Sequence, residues 1–306
     1  MMSQLNRLLQ QGDRAAERLT KAQERQLIRN YQLALKEVRA KIATAYEKYG
    51  DNYTNWTKYN RLATLEKDIG KEIGKLTGKN AVNLKTGIAT QFEEQYYRTA
   101  FAVEKEVGAR LGFGKLNPKT IEAAIQNPLD RVGFLQRNRD NQQRLTRQLR
   151  EQLTQGLIQG ESYQKTARRI KERMDVGATN TLRIAQTENH RVQTVGRLRS
   201  FDQAEEYGVQ AKRVWVSTLD DATRETHQDM DGQVADEDGM FDVDGIEAEG
   251  PGLTGDPAED INCRCTVRME IEGYEPKVRR AREVEGERGE IQSYKTYNEW
   301  KEGRID

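Results

Sequence analysis

The chain has 306 residues, 32% of them charged and 35% hydrophobic, with 50 Lys+Arg against 49 Asp+Glu and a mean hydropathy of −0.93. Such a composition allows one or two domains around modest cores, and the sequence contains nothing near the run of about 18 apolar residues that a membrane-spanning helix needs. Met1 to Gln11 lacks an apolar signal core, and Cys263 and Cys265 are too close in sequence for an unstrained mutual disulfide, so the chain is expected in a cytosol or in a particle assembled there.

From Ile28 to Tyr49, the positions Ile28, Tyr31, Leu35, Val38, Ile42, Ala45 and Tyr49 alternate gaps of three and four, which predicts a long amphipathic helix with a narrow seam. A polar, aromatic-rich stretch, Asp51 to Asn60, precedes a second predicted helix, Tyr59 to Leu76, with breaks expected at Gly74 and Gly78. A third, Lys85 to Leu111, carries Phe92, Tyr96, Tyr97 and Phe101 on one face, a spacing that signals packing. Gly112, Gly114, Pro118 and Pro128 mark a break before a basic, Gln-rich helix, Arg137 to Leu157. A short helix from Ser162 to Met174 is expected to stop at Gly177, and another to run from Thr179 to Phe201. On that last helix Glu188 falls among Ile184, Val192, Val195 and Leu198, and a carboxylate on an apolar stripe needs a partner.

From Lys212 the periodicity changes. Arg213 to Ser217 alternates as a strand does, Asp231-Gly232, Asp238-Gly239 and Asp244-Gly245 are turn signals, and Cys265 to Ile271 reads as a closing strand. The mixed-charge run Lys277 to Glu290 leads to Tyr294, Tyr297 and Trp300, an aromatic knob expected to dock. The fold class is therefore α+β: an extended, mostly helical amino-terminal region followed by a small mixed helical and β-rich module.

Charge is divided along the chain. Residues 1–150 hold 28 Lys+Arg against 16 Asp+Glu and residues 151–200 hold 9 against 5, whereas residues 201–270 hold 5 against 19. A basic helical half suits a polyanion or an acidic protein surface, and the acidic block suits solvent, cations or basic partners.

Three of the four cysteines and histidines, His227, Cys263 and Cys265, lie in the acidic module. Thiolate and imidazole are ligands that zinc prefers, and a small module with few apolar residues gains from a metal staple. Glu188, Asp221, Asp229 or a water would serve as fourth ligand; the competing reading is two small apolar cysteines packed near a structural histidine. Enzyme motifs are absent: no His-Glu-x-x-His, no Gly-x-Ser-x-Gly and no phosphate loop. Asp236 to Asp244 lacks an EF-hand ligand ladder, and nothing in the order of Asp220, Asp221, Glu225 and Asp229 requires a nuclease site.

The run Gly156-Leu157-Ile158-Gln159-Gly160-Glu161-Ser162 and the segment Ile184-Ala185-Gln186-Thr187-Glu188-Asn189 resemble the start of the phage Mu F-like head-morphogenesis domain. Trp215, then Asp220 to His227 and Asp231-Gly232, is similar to that family's central motif, and Asp256-Pro257 with Asn262-Cys263-Arg264-Cys265 to its closing signature. Tyr294 to Trp300 resembles an element often found behind it. The resemblance covers residues 150–270 and implies three parts: a helical, portal- or DNA-facing region (1–145), the head-morphogenesis domain (146–272), and a charged linker with an aromatic tail (273–306). It implies a minor head protein of a tailed phage, with no catalytic residues, inside the head near the portal and in the host cytoplasm during assembly. Its implied work is head assembly and DNA packaging or ejection, and its implied partners are the portal protein, double-stranded DNA and a scaffold or major capsid protein. The family's His and Cys positions fall on His227, Cys263 and Cys265. This chain departs from the family in having Gln186 where an arginine is usual before Thr-Glu. The alternatives are a non-catalytic DNA-binding virion protein and, ranked last, a metal-dependent hydrolase.

Overall fold

A computed structural model describes residues 4–126, 132–218, 220, 222–271 and 297–305. The helices are α1 (Gln4–Tyr49), α2 (Tyr53–Thr57) running into a 3-10 turn (Lys58–Asn60), α3 (Arg61–Val107), α4 (Pro118–Gln126), α5 (Phe134–Ile158) and α6 (Tyr163–Glu206). After them come β1 (Ala211–Val216), α7 (Glu225–Asp229), β2 (Phe241–Val243), β3 (Ile246–Ala248), α8 (Pro257–Asp260), β4 (Thr266–Ile271) and α9 (Tyr297–Ile305). This is the expected α+β class, helical first and β-containing after. No helix among the described residues is long and apolar enough to cross a membrane.

The chain forms two compact units, each assembled from stretches far apart in sequence. One comprises residues 21–86 and 132–185, and the other the described residues of 1–20, 87–131 and 186–306. In the first, α1, α3, α5 and α6 share a core built on Val38, Ile42, Ile69, Ile73, Leu149, Leu153 and Ile170. The α1 face departs from the predicted seam at three places: Leu27 is buried while Ile28 is exposed, and Ala34 and Tyr46 are buried beside the only partly buried Leu35 and Ala45. A helix surrounded by several partners buries a broad 3.6-residue stripe, whereas a two-helix seam would bury only the narrow one. Polar side chains inside this core are satisfied by one another. Asn141 Nδ2 donates to the Gly177 carbonyl (2.9 Å), to Thr181 Oγ1 (3.0 Å) and to Tyr31 Oη (3.2 Å). At the α1–α2 corner the buried Trp56 donates its indole N–H to the Gly50 carbonyl at 2.8 Å and meets Tyr46 and Tyr49 edge-on.

The breaks expected at Gly74, Gly78 and Gly177 do not occur. Helices α3 and α6 run through them, and at Gly177 the missing side chain makes room for neighbours. A Cβ at Gly177 would lie 3.0 Å from Leu145 Cδ2 and 3.3 Å from Tyr31 Cε1. In the second unit the same device brings backbones together, since a Cβ at Gly196 on α6 would stand 2.8 Å from the Phe92 carbonyl oxygen on α3. Around that contact Phe92, Tyr96, Tyr97 and Phe101 are all buried, as a packing face should be. Trp300 of α9 docks on the same face: its indole N–H donates to Glu104 Oε2 at 2.6 Å, and its ring lies against Phe101 and Tyr97. Tyr294 and the run Lys277 to Glu290 lie outside the described residues.

The strand-bearing part of the second unit is two small antiparallel pairs, β1 with β4 and β2 with β3. Trp215 pairs with Val267, and the other edge of β1 hydrogen-bonds to the segment 232–235 through Trp215 and Ala235. β2 and β3 close through Asp244-Gly245, both with positive φ (52° and 82°), the two-residue turn that Asp-Gly predicts.

Candidate metal centre

The site is built by three short segments that β1 and β4 hold together. Trp215 is fully buried, and its ring meets His227 edge-on with centroids 5.6 Å apart. Its indole N–H donates to Ser217 Oγ, and Ser217 in turn donates to the His227 carbonyl, which seats the single turn of α7. From the other side, α8 opens at Asp256, whose carboxylate caps Ala258 N at 2.8 Å, with Pro257 at the first helical position. Asp260, at the end of α8, accepts from Thr254 N, Thr254 Oγ1 and Gly255 N and so fixes the preceding loop. Burial pushes its carboxyl above the usual range. Asn262, at a left-handed φ of 61°, then turns the chain into Cys263-Arg264-Cys265.

Alternation in this extended segment puts both sulfurs on one side and Arg264 on the other, where it grips Asp220 through two hydrogen bonds of 2.5 and 2.6 Å. His227 Nδ1 lies 3.6 Å from Cys263 Sγ and 3.5 Å from Cys265 Sγ. All three side chains are buried, and their ligand atoms lie within 4.8 Å of one another, an arrangement that could hold a metal ion. The two thiols are driven apart: the hydrogen bond from Cys263, then the nearby His227, lowers Cys265, while Cys263 is raised by that same bond and by burial. The other edge of the His227 ring, Nε2, is 2.9 Å from Glu259 Oε2. His190 Nε2 donates to the Cys265 carbonyl at 2.8 Å, and burial lowers the pKa of that ring.

Of the fourth ligands expected from sequence, neither Glu188 nor Asp229 joins this group. Glu188 is buried in an ion pair with Arg191 Nε at 2.9 Å, and Arg191 also donates to the Ala124 carbonyl. The guanidinium that Glu188 engages thus comes from a residue one turn further along α6, with glutamine at 186. Asp229 is exposed at the end of α7, and Asp221 lies outside the described residues. Sequence reasoning missed His190 and Glu259. Glu259 stands three residues after the Asp256 cap, the position from which an acid normally reaches back to the helix start, and here it turns to His227 instead.

Residues 147–268, a span containing the whole of this site, match the family described as Phage Mu protein F like protein. The chain belongs to this phage Mu F-like family of head proteins. Over 283 residues it is 32% identical to minor head protein GP7 of Bacillus phage SPP1, covering 90% of this chain and 91% of that protein. It is also 28% identical over 305 residues to the NAD(+)-arginine ADP-ribosyltransferase EFV of Enterococcus faecalis, with 99% of this chain matched to 62% of that longer protein. No solved structure matches the chain.

Proposed function

We propose that the chain is an internal minor head protein of a tailed phage that works beside the portal in head assembly and in DNA packaging or ejection. The observation that carries this reading is the near end-to-end similarity to a minor head protein, spanning both the basic helices and the acidic module. Residues 146–272 act as the head-morphogenesis domain, residues 1–145 face portal or DNA, and residues 273–306 return an aromatic tail. His227, Cys263 and Cys265 hold one zinc ion as a structural staple, for which their chemistry and spacing fit. The chain occupies the virion head near the portal and the host cytoplasm during assembly, with the major capsid or scaffold protein as further neighbours.

Co-expression with the portal protein of the same phage tests this: the two co-purify through size exclusion if the proposal holds, and separate cleanly if it is wrong. A second reading, non-catalytic binding of double-stranded DNA, is favoured by the charge division, with 28 basic residues against 16 acidic ones in the first 150. It requires duplex affinity that falls steeply with salt. Turnover forms no part of the proposal. More than a third of the transferase relative lies outside the match, and this chain is expected to leave NAD(+) unconsumed in the presence of arginine acceptors.

A further inference from the structure

We infer that the cleft at the α1–α3 corner binds unpaired nucleotides, taking a base on Tyr59 and phosphates on Lys48 and Lys41. The inference deepens the second reading above and rests on its charge argument, but adds base stacking, which the side of a closed duplex does not offer. The cleft lies wholly within the first unit, holds about 650 Å³, and has Lys41, Lys48, Tyr49, Tyr59, Arg61 and Asp68 in its lining. Ligand pockets typically hold about 300–1,000 Å³. The single acid in the lining, Asp68, is held at 2.9 Å by Lys71, which does not line the cleft. Lys48 is exposed, lies over the Tyr49 ring at 5.4 Å, and has no ion pair among the described residues. Lys41 keeps only a 3.7 Å contact with Glu72, which Lys75 holds at 3.0 Å.

The rings beside these cations form a stack that is open at one end. The Arg61 guanidinium carbon lies 4.4 Å from the centre of the Tyr49 ring and 5.3 Å from that of Tyr59, and the same guanidinium donates to the Asn55 carbonyl at 3.0 Å. Tyr59, the outer member, is 87% exposed, so its ring contributes little to any core. Its backbone is left-handed, with φ 54°, and so is that of Asn60. Asparagine takes this conformation readily, whereas an aromatic residue resists it. A residue that strains the backbone and buries almost nothing points to a role outside the fold. Single strands are held by bases stacked on aromatic rings, between cations that track the phosphates. A carboxylate-bearing protein surface would use the cations and leave the ring idle.

The test measures binding of the full chain to fluorescein-labelled oligothymidine by anisotropy, and to relaxed, covalently closed plasmid by filter retention, for wild type, Tyr59→Asn and Lys48→Ala. Wild type is expected to bind oligothymidine with an affinity that falls as salt rises. Tyr59→Asn should weaken that binding about 5- to 150-fold, the loss of one stacked base, and leave plasmid binding unchanged. It should melt no lower than wild type, because asparagine suits the left-handed backbone. Lys48→Ala should reduce the slope of log affinity against log salt by about 0.7, one phosphate contact fewer. Unchanged oligothymidine affinity in Tyr59→Asn would overturn the inference, and plasmid binding retained beside it would leave the second reading standing. No binding of either nucleic acid by wild type would overturn both. Displacement of labelled oligothymidine by polyglutamate as effectively as by unlabelled oligothymidine would make the cleft a seat for acidic protein and overturn the inference as well. Should Tyr59→Asn unfold, Lys48→Ala decides, and an unchanged salt slope there would count against the inference.

Discussion

Cys263 and Cys265 act on the same point because only Arg264 separates them in an extended stretch, and Arg264 is free to point outward to Asp220. Replacing both with serine should abolish a zinc content near one per chain, measured by plasma mass spectrometry, and broaden the thermal unfolding of the strand-bearing module. An unchanged melting curve with no zinc in either protein would mean that the cysteines only pack. Glu161 supports a different prediction at this scale. Its carboxyl is held below the usual 4.5 by the hydrogen bond from Lys165 and then by Arg169. A lowered folded-state value contributes stability that is complete above the ordinary carboxylate pKa and is lost as pH falls through the lower folded value. Glu161→Gln should therefore flatten the acid side of the stability profile, in denaturant titrations below about pH 4.5, and leave the shape near neutrality unchanged.

Among the helices, glycine carries opposite meanings that one-dimensional reading cannot separate. Gly78 on α3 has nothing within 4 Å of an added Cβ, so Gly78→Ala should gain about 1 kcal/mol through helix propensity alone. Gly196 faces the Phe92 carbonyl at 2.8 Å, so Gly196→Ala should lose roughly 1–3 kcal/mol by forcing α6 off α3. Urea denaturation of both variants checks the pair, and equal effects would contradict the packing described. The same ambiguity explains why Gly177 reads as a helix stop when it is a contact with Leu145 and Tyr31. Patterns that are local are borne out in the fold: Arg213 to Val216 within strand β1, Asp244-Gly245 as the tight turn between β2 and β3, the aromatic face of α3. Contacts that depend on tertiary neighbours were not legible, as with Leu27 replacing Ile28 on the buried face of α1.

The whole molecule adds what neither residues nor helices carry. The His227, Cys263 and Cys265 group was legible because those residue types are scarce in this chain, so their coincidence in one module stands out. His190 and Glu259 were not, because nothing in spacing connects α6 or the acid after a cap to a ring 30 or more residues away. Glu188 was legible as a carboxylate needing a partner, and its arginine was not, because several arginines on α6 and elsewhere could have reached it and only the folded packing selects Arg191. The division of charge, basic through residue 200 and acidic from 201 to 270, is a property of the entire chain and gives the head-protein reading its polarity. That reading is tested most directly by quantitative mass spectrometry of purified, DNA-filled heads of the phage that encodes the chain. The account predicts the chain inside protease-treated heads, at a copy number far below that of the major capsid protein and in fixed proportion to the portal. Its absence from such heads, or its complete removal by external protease, would contradict the account.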